Sequence, residues 1–185
     1  RESIVIPCNW KVTAEAFLEV YHFKHIHSNK EGWATLDSRR AAMGLYAGGH
    51  SRMITGYSDQ HVNLTGMQAW DDWKPLDNGD FKTMESTSQE YLDMLDCTST
   101  AVSYFPNTII PLGSFGYPVL LFWPIDIETT LLEWWYYGPA DWEGDAIPEH
   151  WQKRAKQFNQ IMDEDKYNMA PMWESLKSPA LSLSL

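Results

Sequence analysis

Three histidines lie within six positions near the start of the chain, in the stretch EAFLEVYHFKHIH that spans residues 15–27. They are His22, His25 and His27. Neutral imidazole is a common metal ligand, so this density indicates a candidate metal site, with surface or core histidines as the alternative. On a regular helix His22 and His25 point about 60° apart, whereas His22 and His27 point about 140° apart. Spacing alone therefore favours the pair His22 and His25, unless the helix breaks within this stretch.

A long amphipathic helix near the end of the chain offers a further ligand. Its apolar positions recur at steps of three and four residues, which predicts one buried face. That face comprises Trp151, Ala155, Phe158, Met162, Asp165, Met169, Met172 and Leu176. Asp165 interrupts the apolar stripe, and a buried carboxylate is costly unless a positive group or a metal meets it. Two imidazoles and one carboxylate form the set that holds non-haem Fe(II) with open coordination positions, so Asp165 is the candidate third ligand.

Runs of β-branched and aromatic residues between turn signals predict the elements that must position these groups. The predicted strands are 2–12, 52–58, 98–105, 118–127 and 129–138. Helices are predicted over 14–21 with Thr13 as N-cap, over 88–96, and from Trp151 onward. Because strands come first and a long helix comes last, the sequence predicts an α+β fold, with an antiparallel β-sheet wrapped around the long C-terminal helix.

The composition is that of one ordinary globular domain. The 185 residues are 44% hydrophobic and 21% charged, and no apolar run approaches the length of a membrane-spanning helix. With 25 acidic against 14 basic side chains, the net charge of −11 opposes binding to nucleic acid or to an anionic membrane, so neither is expected as a partner. Cys8 and Cys97 have no C-x-x-C spacing, which favours reduced thiols and a cytoplasmic location.

The stretch CNWKVTAEAFLEVYHFKHIH resembles the iron-binding segment of the α subunits of Rieske-type aromatic-ring-hydroxylating oxygenases. The residues that match the family pattern are Asn9, Trp10, Lys11, Glu15, Phe17, Glu19, Tyr21, His22 and His27. The far end of the chain is similar to the family too, at Glu164, Asp165, Leu176, Ser178 and Pro179. Two motifs in the family's order, at opposite ends of the chain, are far more specific than either motif alone.

The resemblance implies that His22, His27 and Asp165 hold a mononuclear Fe(II), with His25 outside the site and O2 as co-substrate. It also implies a helix-grip, START-like fold. Glu19 stands where the family often has an Asp that is thought to connect a neighbouring subunit's cluster to the iron. By this likeness Glu19 is a candidate electron-transfer bridge, with a side chain one carbon longer than the usual one.

A substrate pocket is implied next to this iron. Phe17, Phe158 and Met162 are the predicted apolar walls of the pocket. The substrate would be aromatic or otherwise apolar, and the product would be a cis-dihydrodiol or a hydroxylated or demethylated compound. Ala16 departs from the family, because several members carry Asn there, and this difference puts the substrate range in doubt more than it does metal binding.

The resemblance also bears on domains and partners. A Rieske 2Fe–2S cluster needs two Cys and two His, and neither Cys8 nor Cys97 stands in a C-x-H or C-x-x-H arrangement. Residues 1–185 are therefore interpreted as a single catalytic domain, with the N-terminal Rieske domain of the family absent from this chain. Electrons would come from that Rieske domain, supplied by a ferredoxin or reductase that uses NAD(P)H, and a homotrimer is expected.

Two other functions fit the same residues. One is a metal-free START-like module that binds an apolar ligand without redox chemistry. The other is a zinc site or metal-dependent hydrolase that uses the same histidines. The spacing of the three candidate ligands and the distal Glu-Asp pair argue against both.

Overall fold

A computed structural model describes residues 1–27, 36–57, 98–112, 118–137, 146–147 and 149–180. The strands in this part of the chain are β1 (Glu2–Ile6), β2 (Leu36–Leu45), β3 (Ser51–Tyr57), β4 (Thr98–Tyr104), β5 (Thr108–Leu112), β6 (Val119–Pro124) and β7 (Thr130–Trp135). The helices are α1 (Trp10–Glu15), α2 (Phe23–Ile26) and α3 (Glu149–Leu176), with a 3₁₀ turn over Ala47–Gly49. The predicted helix over 88–96 lies outside the described residues.

Within the described residues, the strands form one seven-stranded antiparallel sheet in the order β1-β7-β6-β5-β4-β3-β2. Strands β2 to β7 follow each other as a meander, whereas β1 pairs with β7 and puts Ile4 opposite Leu132. This pairing brings the start of the chain beside its last strand. The segment that follows β1, which carries the histidines, is thereby placed next to α3.

The core lies between the inner face of the sheet and α3. Alternate residues point to one face of a strand, and on β6 and β7 these are the buried Leu120, Phe122, Leu132 and Trp134. The helix contributes Phe158, Ile161, Met162 and Met169 to the same cluster. The predicted α+β fold with a sheet around a long C-terminal helix is therefore confirmed. No helix of the described segments has both the length and the apolar character needed to cross a membrane.

The structure corrects the element boundaries predicted before α2. Strand β1 ends at Ile6, because Pro7 cannot donate to a sheet ladder. The N-cap of α1 is Asn9, whose side chain accepts a hydrogen bond from the Lys11 amide at 3.0 Å, and not Thr13. Thr13 lies inside α1, fully buried, and its hydroxyl donates to the Asn9 carbonyl at 3.1 Å.

Two strands were absent from the prediction. Strand β2 reads LDSRRAAMGL, and most of its residues are exposed, so it lacks the clear apolar alternation of a half-buried strand. Strand β5 has only five residues and contains Pro111, and a proline argues against a strand when only the sequence is known. Both strands owe their pairing to neighbours in the sheet, β2 to β3 and β5 to β4 and β6.

Candidate metal centre

The predicted helix over 14–21 breaks, and the break sets the positions of the two outer histidines. Helix α1 ends at Glu15, and the next turn is closed by Glu19, whose carboxylate accepts from the Tyr21 amide at 2.5 Å and from the His22 amide at 3.3 Å. His22 then precedes the four-residue helix α2, and His27 follows it. The angles of a regular helix therefore do not apply to this stretch.

The rings of His22 and His27 lie 5.3 Å apart, measured between centroids, with an angle of 73° between their planes. Phe23 packs edge-on against both rings, at 4.6 Å from His22 and 5.7 Å from His27. His27 is fully buried, and His22 is partly buried. His25, the partner favoured by spacing alone, is exposed to solvent and belongs to no cluster of potential ligands among the described residues.

Asp165 completes a group of three potential ligands. Its Oδ1 atom lies 3.7 Å from His22 Nε2 and 3.1 Å from His27 Nε2. The residue is 7% exposed and belongs to the buried face of α3, as its place in the apolar stripe predicts. One ligand atom from each of the three side chains lies within 4.8 Å of the others.

Each of the two histidines is held by a glutamate at its other ring nitrogen. His22 Nδ1 pairs with Glu19, three residues earlier in the chain. His27 Nδ1 lies 2.8 Å from Glu164 Oε2, on the helix that also carries Asp165. A carboxylate that accepts from Nδ1–H leaves Nε2 as the free lone pair, so both Nε2 atoms are directed at Asp165 as metal ligands would be.

The donor set fits a small divalent cation. Two donors at right angles, each about 2.1 Å from one ion, lie about 3 Å apart. The separations of 3.1 and 3.7 Å between Asp165 and the two imidazoles are close to that value. Two neutral nitrogens and one carboxylate suit Fe(II) or Zn(II), and only three protein ligands leave positions open for small molecules.

The carboxylates near the two histidines also shift the pKa values of groups in the site. Burial opposes the charged form of His27, but the hydrogen bonds and charges of Asp165 and then Glu164 outweigh burial and raise the pKa of His27. Burial likewise favours the neutral form of Glu19, yet its hydrogen bond to His22, together with the amides of Tyr21 and His22, lowers the pKa of Glu19. In the metal-free protein, Asp165 and Glu164 thus favour the protonated form of His27.

An apolar cavity opens next to this group. It is lined by Phe17, His22, Phe23, Met53, Ser99, Thr100, Ala101, Ile109, Pro111, Leu120, Phe158, Ile161, Met162 and Asp165. The three predicted pocket walls, Phe17, Phe158 and Met162, all lie on it, together with two of the predicted ligands. The sheet supplies the remaining wall, which sequence reasoning did not single out, through residues of β3, β4, β5 and β6.

Sequence reasoning gave Glu164 no role beyond its place in a motif. The structure puts its carboxylate on His27, one residue before Asp165 in α3. Neighbouring positions on a helix point about 100° apart, so one acidic residue can face the site while the other reaches around its rim. The Glu-Asp pair was the signal in the sequence, but its partner is 137 residues away and only the fold brings the two together.

A family model described as ring hydroxylating alpha subunit (catalytic domain) matches residues 1–184. The chain belongs to this family. Iron and dioxygen are general for this family of non-haem iron Rieske oxygenases. No curated protein sequence matches the chain significantly.

Solved structures of Rieske oxygenases share the fold of this ring-hydroxylating α-subunit domain. The quaternary ammonium Rieske monooxygenase CntA in complex with L-carnitine matches with a TM-score of 0.60 at 15% identity, over 97% of this chain and 39% of its own. Naphthalene 1,2-dioxygenase with indole bound in the active site matches with a TM-score of 0.59 at 18% identity, over 95% and 42%. Dicamba monooxygenase bound to 3,6-dichlorosalicylic acid matches with 0.55 at 9%, over 99% and 52%.

The chain thus spans about two fifths to one half of the length of these proteins. The molecules bound in these three structures differ: L-carnitine as substrate in the first, indole in the active site of the second, and 3,6-dichlorosalicylic acid in the third. The fold therefore leaves the substrate open, and the lining of the cavity becomes the informative feature.

Proposed function

We propose that this chain is the catalytic domain of a Rieske non-haem iron oxygenase, in which His22, His27 and Asp165 hold a mononuclear Fe(II). The observation that carries the proposal is the convergence of these three side chains next to an apolar cavity, which His22 and Asp165 line. An iron ion held there would supply the redox chemistry that activates dioxygen.

The chain's own residues would do four things around that ion. His22 and His27 would donate through Nε2, because Glu19 and Glu164 hold the opposite ring nitrogens. Asp165 would supply the negative charge that favours a divalent over a neutral occupant. Phe23, packed against both imidazoles, would limit the access of water to them. The open coordination positions would face the cavity, since His22 and Asp165 both line it.

The cavity supports an aromatic or otherwise apolar substrate that is hydroxylated or dihydroxylated. Phe17 lies on it beside Phe122 of the core, with ring centroids 5.5 Å apart, and Phe158 and Met162 close the helix side. Aromatic rings and thioethers pack well against a flat apolar molecule. The substrate would lie between these side chains and the iron.

The wider assembly is part of the same proposal. Residues 1–185 would act as a single catalytic domain whose electrons come from a Rieske 2Fe–2S cluster outside this sequence, fed by a ferredoxin or reductase that uses NAD(P)H. A cytoplasmic homotrimer would present one subunit's cluster to the next subunit's iron. The side chain of Glu19 is 36% exposed while it pairs with His22, as a bridge from the surface to the ligand needs to be.

The direct experiment is anaerobic Fe(II) binding by the protein and by its Asp165→Ala variant. We expect about one iron per chain in the wild type and at least about a hundredfold weaker binding in the variant, since one of three ligands and the only ligand charge are lost. Asp163→Ala is the matched control, because Asp163 is an exposed acid on the same helix that pairs only with Lys166 at 3.7 Å among the contacts described.

The opposite results would point elsewhere. A folded protein that binds no Fe(II), in either form, would contradict the proposal and favour a carrier of apolar ligands. Tight binding of Zn(II) with no dioxygen-dependent reaction in the presence of an electron donor would favour a zinc site. Equal loss of iron in Asp163→Ala and Asp165→Ala would indicate binding to surface carboxylates.

A further inference from the structure

The cavity has a second polar position, on the sheet side and away from the candidate ligands in sequence. Ser99 of β4 lines it, next to Ala101, and Met53 of β3 pairs with Ala101 and lines it as well. Thr55 stands directly opposite Ser99 in the β3–β4 register. Ser99 and Thr55 therefore form a pair of neighbouring hydroxyls on the inner face of the sheet, one step along the strands from Met53 and Ala101.

These two hydroxyls lack partners in the described part of the protein. Thr55 is 0% exposed, and its Oγ1 atom makes no hydrogen bond there. The Ser99 side chain makes none either, among the residues described. Thr100 is also a lining residue, and its hydroxyl lies 3.4 Å from the Thr98 hydroxyl. A buried hydroxyl without a partner, such as that of Thr55, is rare in folded proteins, and the partly buried Ser99 lies between it and the cavity.

The charges of the lining restrict what that partner is. Apart from His22 and Asp165, all lining side chains described here are uncharged, and ten of the fourteen are apolar. A carboxylate or an ammonium group on the sheet side would lose its hydration without meeting an opposite charge. An uncharged group that can donate or accept one hydrogen bond would meet Ser99 without that cost, because a serine hydroxyl does both.

We propose that Ser99 hydrogen-bonds a single uncharged polar substituent, a hydroxyl or a carbonyl, on an otherwise apolar substrate, and that Thr55 orients the Ser99 hydroxyl. Side chains directly opposite in an antiparallel pair have Cβ atoms about 5 Å apart, so rotation about χ1 brings the two oxygens within bonding distance. With Ser99 bonded to both Thr55 and the ligand, the ligand is anchored at the sheet. Its apolar body then points to the wall that carries His22 and Asp165.

This inference rests on the proposed function for the fate of the bound molecule, but its binding step can be tested without iron. The probes share one phenyl ring: toluene, phenol, benzoate and phenyltrimethylammonium. Ligand-observed NMR titrations of the intact, metal-free protein would compare the wild type with Ser99→Ala and with the nearly isosteric Thr55→Val. Ser103→Ala is the matched control, because Ser103 lies on the same face of β4 as Ser99 but outside the cavity.

We expect Ser99→Ala to weaken phenol binding about five- to tenfold and to leave toluene within about twofold, since one hydrogen bond is removed. Thr55→Val should weaken phenol binding about threefold with the same insensitivity for toluene, and Ser103→Ala should change neither. Benzoate and phenyltrimethylammonium should bind more weakly than phenol in the wild type.

Unchanged phenol affinity in folded Ser99→Ala would overturn the inference, as would tighter binding of either charged probe than of phenol. Equal losses for phenol and toluene in both variants would do so too, because they would indicate a change of shape and not a lost hydrogen bond. None of these results depends on iron. A failure of Fe(II) binding would overturn the proposed function, but the phenol and toluene affinities of the variants could still be compared.

Discussion

His22 and His27 present the same ring atom to the same carboxylate, yet the protein holds them in different ways. His22 is supported within its own segment, by Glu19 three residues earlier, and both side chains keep some contact with solvent, at 14% and 36% exposure. His27 is fully buried and is supported by Glu164 from the far end of the chain. One candidate ligand is thus positioned by local structure, and the other depends on the docking of α3.

This difference predicts that the two histidines are unequal for folding but equal for metal binding. His27→Ala should cost the metal-free protein about 2–3 kcal/mol of unfolding free energy, because it empties a buried position and leaves Asp165 and Glu164 without their imidazole. His22→Ala should cost about 1 kcal/mol or less. Both variants should lose tight Fe(II) binding. Denaturant titrations measure the first effect, and equal losses of stability would contradict the comparison.

The two glutamates that pair with the histidines also distinguish effects on folding from effects on metal binding. Removal of a carboxylate behind a metal-binding histidine typically weakens metal affinity about 10- to 100-fold, so Glu19→Ala and Glu164→Ala should both do so. Of the two, Glu164→Ala should also lower the melting temperature of the metal-free protein, because the Glu164 contact with His27 joins the two ends of the chain, whereas Glu19 pairs within its own segment. The Gln variants, which keep an acceptor for Nδ1–H, should recover part of the affinity; no recovery would assign the effect to charge alone.

The protonation of His27 should make both the stability of the protein and its metal affinity depend on pH. Its pKa is raised in the folded state, so the stability it contributes is fully present below about pH 6.5 and is lost as the pH rises through the folded-state pKa. A metal needs the neutral imidazole, so metal affinity should fall by up to about tenfold per unit as the pH drops below that value. Calorimetric titrations with Zn(II) between pH 5.5 and 8 test this. An affinity that is flat over the range would contradict it.

The smallest effect is expected at the histidine that spacing alone favoured. His25 is exposed, and its backbone amide contributes only to the turn of α2. His25→Ala should leave metal affinity within about twofold and stability within about 0.5 kcal/mol. A large loss of metal in this variant would show that the ligand pair is His22 and His25 after all.

Much of the fold is encoded in patterns that do not depend on distant partners. Strands β4, β6 and β7 are short runs rich in β-branched and aromatic residues between turn signals, and the face of α3 shows the periodicity of a helix, so all four elements were predicted from sequence. Their ends shifted by a few residues because end positions depend on pairing, as β7 shows by stopping at Trp135. Strand β2 could not be found, since its exposed Arg39 and Arg40 hide the pattern that its pairing with β3 imposes.

In the candidate metal centre too, some residues could be predicted from sequence patterns and others could not. Asp165 was a candidate from sequence because a charge on an apolar stripe requires an explanation, and the structure puts it beside two imidazoles. The choice between His25 and His27 could not be made from spacing, because it depends on a break between α1 and α2 that Glu19 stabilises through backbone amides. The resemblance to the family indicated His22 and His27, the pair that the structure brings together. The role of this pair in metal binding stays a prediction.

The most direct test is to locate the metal. Crystals of the protein loaded with Fe(II) under anaerobic conditions, with diffraction measured on both sides of the iron absorption edge, would give the position of the ion. We predict one anomalous peak per chain about 2.0–2.2 Å from His22 Nε2, His27 Nε2 and a carboxylate oxygen of Asp165. A peak at His25, a peak bonded through Nδ1, or no peak between the two histidines and α3 would contradict the account.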